Sequence, residues 1–259
     1  MTGTADRTQR RTRLLALLTE SGRLTVAEAA QRLEVAPVTI RRDFAALADE
    51  GLAIRAPGCV IAAGLSRTSE PPVDPAIARI AEYAAALVEP ADVVALTGGL
   101  STAAIAQALA ARTELPADPD RQLVIVTNAL DIAGAMVPHP HMRTICLGGV
   151  ARPESFELRG PLAELTLSQL RLDTVFLGVE RISAPGGAQC RHIDEAGVYA
   201  EMVHRARQVV AVATADRIDT TVMARICPIE QVHRLITDRA ADPDALARIR
   251  AAGVRVDQV

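Results

Sequence analysis

From Val93 onward the chain repeats one unit, a short continuous apolar run followed by a longer amphipathic segment. The apolar runs fall at 93–96, 123–126, 144–147, 174–177, 209–213 and 234–236. Between and after them, helical spacing marks 102–111, 130–136, 161–170, 194–206 and 243–252, with a further helix at 77–88 leading in. A strand that is apolar throughout is buried on both faces, which is the environment of a parallel strand between two helical layers. The pattern therefore predicts an α/β domain with a mostly parallel sheet. Aromatic residues make up only 2% of the chain, so its cores must be built from Ala, Val, Leu and Ile.

In such sheets ligands sit at the carboxyl ends of the strands. Here those ends read Thr97-Gly98-Gly99-Leu100-Ser101-Thr102, Thr127-Asn128, Gly148-Gly149, Gly178 and Thr214-Ala215-Asp216-Arg217. Glycine and small hydroxyl residues let backbone N–H groups approach an anion. The first loop also opens a helix, whose free N–H groups make an anion site. Any one such turn needs glycine for shape alone, so the expectation of a small-molecule pocket rests on several loops converging. Its candidate residues are Thr97, Gly98, Gly99, Leu100, Ser101, Thr102, Thr127, Asn128, Gly148, Gly149, Gly178, Asp216 and Arg217. Asp194 and Glu195 suit a helix N-terminus electrostatically, and Glu195 is also a pocket candidate. Neither G-x-G-x-x-G nor a Walker loop is present, which disfavours dinucleotides and nucleoside triphosphates.

The first 61 residues follow a different plan. Thr25-Val26-Ala27-Glu28 forms a capping box, starting a short helix through Leu33. A tight break at 34–36 precedes Pro37, which suits the first position of a second helix because the N–H it lacks would have no partner there. In that helix Ile40, Phe44 and Leu47 share one inward face, and Thr39, Arg41 and Arg42 point elsewhere. A helix that buries one face and offers donors from its first turns suits the DNA major groove. Gly51 can end it, and the apolar run to Arg55 reads as a wing that brings Arg55 to phosphate. With a first helix at 10–20, this is a winged helix-turn-helix. Its candidate DNA contacts are Thr25, Pro37, Val38, Thr39, Arg41, Arg42 and Arg55. The breaker-rich stretch 62–76 reads as a linker, so the expected organisation is 1–61, 62–76 and 77–259.

The net charge of −3 argues against a protein that coats DNA nonspecifically. The first 58 residues carry nine Arg against seven acids and the remainder nineteen against twenty-four, a mildly basic head on an acidic body. All 28 basic residues are arginine, which excludes lysine Schiff-base and lysine general-base chemistry. Cys59, Cys146, Cys190 and Cys227 form no C-x-x-C pair, so neither a disulfide framework nor structural zinc is expected. His139-Pro140-His141 reads as a surface turn, Cys190-Arg191-His192 as no catalytic dyad, and Asp238 as a loop cap. No metal or cofactor is called for. No apolar run reaches membrane length and the first residues are polar, which points to the cytoplasm.

With both halves in view, the chain resembles the DeoR family of bacterial transcriptional regulators over nearly its whole length. The resemblance is carried by 24–26 through Thr39-Ile40-Arg41-Arg42-Asp43-Phe44 and on to Arg55. In the second half it rests on Val124-Ile125-Val126-Thr127-Asn128, Leu147-Gly148-Gly149, Gly160-Pro161-Leu162-Ala163, Asp173-(x2)-Phe176-Leu177-Gly178, Asp194-Glu195-Ala196 and Leu235-Ile236-Thr237-Asp238. It implies a sensor fold related to sugar-phosphate isomerases, binding of double-stranded operator DNA as a repressor, and self-association into a homo-oligomer. It also implies a small anionic effector, such as a phosphorylated sugar, held by the loop residues above. The sequence departs from the family where Thr97 replaces an Asp and Leu100-Ser101 replace a Thr pair in the first loop. Arg217 and Tyr199 stand where Lys is usual, and Arg181 where Gly is. Ala36 replaces a Ser helix cap, and Ala56-Pro57-Gly58-Cys59 replaces a His-Gly-Gly wing tip. Two rivals follow. A sugar-phosphate isomerase with a DNA-binding appendage would need a general base, for which Asp216, Glu195 and Asp194 are the carboxylates at strand ends. A regulator with a changed first loop could also have lost its ligand and act through oligomerisation alone.

Overall fold

The computed structural model describes residues 10–15, 17–18, 23–49, 53–56, 58–62 and 74–259. The chain separates into two compact units, Met1–Val73 and Asp74–Val259.

In the first unit residues 10–15 and 17–18 are helical (α1). They are followed by β1 (Arg23–Thr25), α2 (Val26–Leu33), α3 (Pro37–Asp49), β2 (Ala53–Ala56) and β3 (Cys59–Ala62). The strands pair antiparallel in the order β1-β3-β2. The capping box forms as the sequence requires: the Glu28 N–H donates to Thr25 Oγ1 (3.2 Å) and the Thr25 N–H to the Glu28 carboxylate (2.9 Å). Glu34 ends α2 in the left-handed region (φ 53°), which produces the tight break before Pro37. Leu14, Leu18, Leu24, Ala29, Ile40, Phe44, Leu47, Ala53 and Val60 form one core. This is a winged helix-turn-helix held by the apolar faces read from the sequence. Gly51 and residues 63–73 of the expected linker lie outside the described residues. Of that linker's ends, Ala62 closes β3 and Pro75 opens a helix that Asp74 caps, accepting the Ala76 N–H (2.8 Å).

The second unit opens with α4 (Pro75–Ala85), β4 (Val93–Leu96), α5 (Leu100–Ala110), β5 (Leu123–Thr127), α6 (Leu130–Met136) and β6 (Met142–Cys146). A hairpin of β7 (Val150–Arg152) and β8 (Glu157–Arg159) precedes α7 (Pro161–Ser168) and β9 (Leu172–Gly178). Next come β10 (Arg181–Ser183), β11 (Gly187–Cys190), α8 (Ile193–Arg205) and β12 (Ala206–Val212). A 3-10 turn at Ala215–Arg217 leads to β13 (Ala224–Cys227), β14 (Arg234–Thr237), α9 (Pro243–Ala251) and β15 (Arg255–Gln258). Seven strands make one parallel sheet in the order β15-β14-β12-β9-β4-β5-β6. Alternate strand residues point to opposite faces, and both faces are filled. Val94, Leu96, Ile125, Phe176, Val210 and Ile236 pack with residues of α4, α5 and α6. Ala95, Val126, Val175, Leu177, Ala211 and Leu235 pack with residues of α7, α8 and α9.

The α/β expectation holds, with helix and strand ends agreeing to within three residues. The apolar-run rule missed the β7–β8 hairpin, the small sheet β10-β11-β13 and the edge strand β15. These strands are only three or four residues long and carry Arg, Glu and Gln, so no apolar run announces them.

Candidate functional site

In the first unit, α3 divides its residues as a groove-reading helix must. Ile40 and Leu47 are fully buried and Phe44 nearly so, whereas Val38 is 54% exposed and Pro37, Arg41 and Arg42 are exposed. Thr39 is partly buried. Thr25 spends its hydroxyl in the capping box, donating to the Glu28 carboxylate at 2.7 Å. Arg55 lies on β2, and its side chain lies outside the described residues. One feature of the helix went unread in the sequence: Asp43, 6% exposed, receives Arg10 Nε at 2.6 Å and so ties α1 to α3.

In the second unit a cavity of about 230 Å³ opens at the carboxyl ends of β4 and β9. Gly98, Gly99, Leu100 and Ser101 of the β4–α5 loop line it, with Gly178, Arg217 and Glu195. Seven of the residues singled out in the sequence therefore meet in one place. The other pocket candidates do not line it, each for a structural reason. Thr97, Thr102, Thr127 and Asn128 are fully buried. Thr97 Oγ1 accepts the Gly178 N–H (2.9 Å), and Thr102 donates to the Gly99 carbonyl (3.0 Å). Thr127 donates to the Leu96 carbonyl (2.8 Å). These hydroxyls brace neighbouring backbone at the strand ends. Gly149, at φ +136°, lets the hairpin close, since a Cβ there would lie 2.6 Å from the Arg159 carbonyl oxygen. Gly148 packs near Leu162. Asp216 is exposed and accepts the Thr214 hydroxyl proton at 2.6 Å. Asp238 is the loop cap expected, accepting the Ala215 (2.7 Å) and Ala240 (3.1 Å) N–H groups.

Much of the remaining lining comes from the hairpin that the apolar-run pattern missed, and Tyr199 from the helix expected at 194–206. The β7–β8 hairpin supplies Arg152, Glu154, Ser155 and Glu157, and α8 supplies Tyr199 one turn after Glu195. The i, i+4 spacing of Glu195 and Tyr199 was the available signal for the second of these. Glu195, 5% exposed, accepts from Arg152 Nη1 (3.4 Å) and Ser155 Oγ (3.1 Å). Glu157, 4% exposed, accepts through Oε2 from the Tyr199 hydroxyl and from Asn128 Nδ2 (2.9 Å). Burial raises the Glu157 carboxyl from 4.5 to about 7, reinforced by the charges of Glu195 and Asp131. The hydrogen bonds from Tyr199 and Asn128 oppose that rise. Burial, then Glu157, push the Tyr199 phenol well above its ordinary value. Cys190 also touches the cavity, but burial lifts its thiol to about 12 and it donates to the His192 carbonyl, so it is no activated nucleophile.

The arrangement offers two kinds of contact. Arg217, with one nitrogen on the Val179 carbonyl (3.0 Å), and the uncapped first turn of α5 suit an anion. Glu157 and Glu195 suit hydrogen-bond donors. Among the described residues, no group of three or more His, Cys, Asp or Glu side chains is placed to hold a metal ion. Among them too, no helix is long and apolar enough to cross a membrane.

Comparison with known proteins agrees with this division of labour. Residues 10–64 match the DeoR-like helix-turn-helix domain and residues 76–239 the DeoR C-terminal sensor domain. The chain belongs to the DeoR family of transcriptional regulators. Among its relatives is a protein of Escherichia coli O157:H7 assigned as the aga operon transcriptional repressor, 27% identical over 99% of this chain and 94% of that one. The transcriptional repressor CsqR of Escherichia coli K12 is 25% identical over 95% and 94%. The transcriptional regulator GlpR of Haloferax volcanii is 27% identical over 96% of each. These relatives are regulators, not enzymes. Ribose 5-phosphate isomerase A of Methanocaldococcus jannaschii overlaps 54% of this chain and 52% of its own, at 11% identity and a TM-score of 0.35. Neither a substrate nor a mechanism is transferred from so partial an overlap.

Proposed function

We propose that this regulator is a repressor that reads double-stranded operator DNA through α3 and senses a small anionic metabolite, a phosphorylated sugar or a related compound. The observation that carries the reading is the split of α3 into a buried Ile40–Phe44–Leu47 face and an exposed Val38–Arg41–Arg42 face. Thr39 completes the reading edge, while Thr25, Pro37 and the Arg55 wing set its position on phosphate. In the second unit the cavity pairs Arg217 and the Gly98–Ser101 turn with buried carboxyls, which suits a ligand with an anion at one end and hydroxyls at the other. Thr97, Thr102, Thr127, Asn128, Gly148 and Gly149 shape its walls from behind, and Asp216 the approach to it. The protein acts in the cytoplasm as a homo-oligomer, because helix-turn-helix proteins read paired half-sites through paired subunits. Exposed Leu162, Leu165 and Ile193 offer apolar surface for that association. The effector shifts operator affinity by binding the two states of the protein unequally.

Fluorescence anisotropy of a duplex from the region upstream of its own gene tests the DNA half. Specific binding is expected at least a hundredfold tighter than to a scrambled duplex. Removing Arg41 or Arg42 should cost about 1–3 kcal/mol of discrimination where it reads a base, or lower the salt slope by about one where it meets phosphate. Equal affinity for both duplexes at every salt concentration would contradict the reading.

A further inference from the structure

The sequence lacks the acid that its family resemblance places in the first loop, and Thr97 does not stand in for it. Its hydroxyl oxygen is fully buried and taken by the Gly178 N–H. A buried carboxyl reaches the wall of the cavity beside this loop from β8, that of Glu157. We infer that Glu157 selects the effector, accepting through Oε1 a hydrogen bond from a hydroxyl or ammonium group at the end of the ligand away from its anion. This rests on the sensor reading above and names the residue that gives it specificity.

Three observations carry the inference. The carboxyl is fixed, because Tyr199 and Asn128 both donate to Oε2. Its other oxygen accepts from none of the described residues, although Glu157 is 4% exposed and lines the cavity. A carboxyl held from behind through one oxygen and open to the cavity through the other is placed to take a ligand donor. Nor does an arginine reach it: Arg152 pairs with Glu154 (3.2 Å) and Glu195 (3.4 Å), and Arg217 donates to the Val179 carbonyl. Finally, the turn is shaped around this oxygen. A Cβ on Gly98 would stand 2.3 Å from Oε1, so any side chain there would take the place the carboxyl occupies.

The charges around Glu157 decide which end of a ligand belongs beside it. Glu195 and Tyr199 face it from α8, Cys190 from β11 and Asp131 from α6. An anion would be repelled in this company, so the ligand's anion goes to the Arg217 side and its donors to Glu157. A hydroxyl satisfies Oε1 in either protonation state of the carboxyl. An ammonium favours the carboxylate, and its binding strengthens as the pH rises.

Isothermal titration of the full-length protein tests this with D-glucose 6-phosphate, its 2-amino and 2-deoxy analogues, D-ribose 5-phosphate and inorganic phosphate. In Glu157→Gln, Tyr199 and Asn128 take the amide oxygen and turn its NH₂ toward the ligand, replacing an acceptor by a donor. The variant should bind the best sugar phosphate at least tenfold more weakly and inorganic phosphate within twofold of wild type. An affinity for the amino sugar phosphate that rises between pH 6 and 8 in wild type, but not in Glu157→Gln, marks an ammonium at Oε1. A pH-independent affinity that falls for the 2-deoxy analogue marks a hydroxyl. Tyr199→Phe checks the contact without altering the acceptor. It removes a donor from the carboxylate and should move the pH midpoint of binding, or of the variant's folding stability where the ligand is a hydroxyl, upward relative to wild type. If Glu157→Gln keeps the wild-type affinities and their order, the inference is overturned and the sensor reading stands. Should no sugar phosphate bind wild type, the sensor reading falls, and this assignment with it.

Discussion

Glu157 holds a proton in the folded protein that the unfolded chain has already released at neutral pH, because burial raises its carboxyl from 4.5 to about 7. Between those values folding takes up a proton, so this residue's contribution to stability is greatest below about pH 4.5. It is lost as the pH rises through about 7. The full loss is on the order of 3 kcal/mol. Glu157→Gln cannot lose that proton, so its melting temperature should fall less than that of wild type between pH 5 and 8. Parallel melting curves across that range would show that Glu157 does not titrate as described. Residues of this kind were hard to read in the sequence. Glu195 was legible because it sits at a helix start beside a strand-end loop, and the structure puts it in the cavity. Glu157 lies between Phe156 and Leu158 in a stretch without periodicity, and only the hairpin's fold back toward Gly98 brings it there.

At the scale of elements, α3 depends on more than its apolar face. The Asp43–Arg10 pair is a buried tie between α1 and α3, with Asp43 6% exposed and Arg10 14%. Losing a charge-assisted hydrogen bond of this kind costs about 1.5–3 kcal/mol. Asp43→Ala should therefore shift the urea midpoint of the first unit's transition sharply down and weaken DNA binding in parallel, leaving the second unit's transition in place. An unchanged midpoint would mean that the pair carries no net stability. The sequence showed Asp43 inside the recognition motif but not its burial, since an acid one residue before Phe44 reads as surface. The larger helices and the central strands were legible because their apolar residues recur at 3.6 or run unbroken. What escaped was the short polar strands, and two of these, β7 and β8, carry one wall of the cavity. Strands of three residues gain their pairing from tertiary context, which local pattern does not encode.

At the scale of the molecule, a mildly basic head and an acidic body divide two tasks between two units. The first presents Arg41 and Arg42 from a helix packed on its apolar face. The second holds a cavity where a carboxyl near its midpoint at neutral pH, an arginine and a helix start converge. Such a carboxyl could serve acid–base chemistry in another setting. In the function proposed above its neighbours hold a ligand, and the output is a change in DNA affinity. Thermodynamic linkage makes that output measurable from either side, since a ligand that weakens operator binding must itself bind less tightly to the DNA-bound protein.

The most direct test is the operator affinity of the full-length protein with and without saturating sugar phosphate. It is measured by anisotropy on the upstream duplex, side by side for wild type and Glu157→Gln. Specific wild-type binding should weaken by about 5–150-fold on adding the ligand, with a much smaller change in the variant. Specific binding that is identical with and without every sugar phosphate would contradict the coupling of the two units.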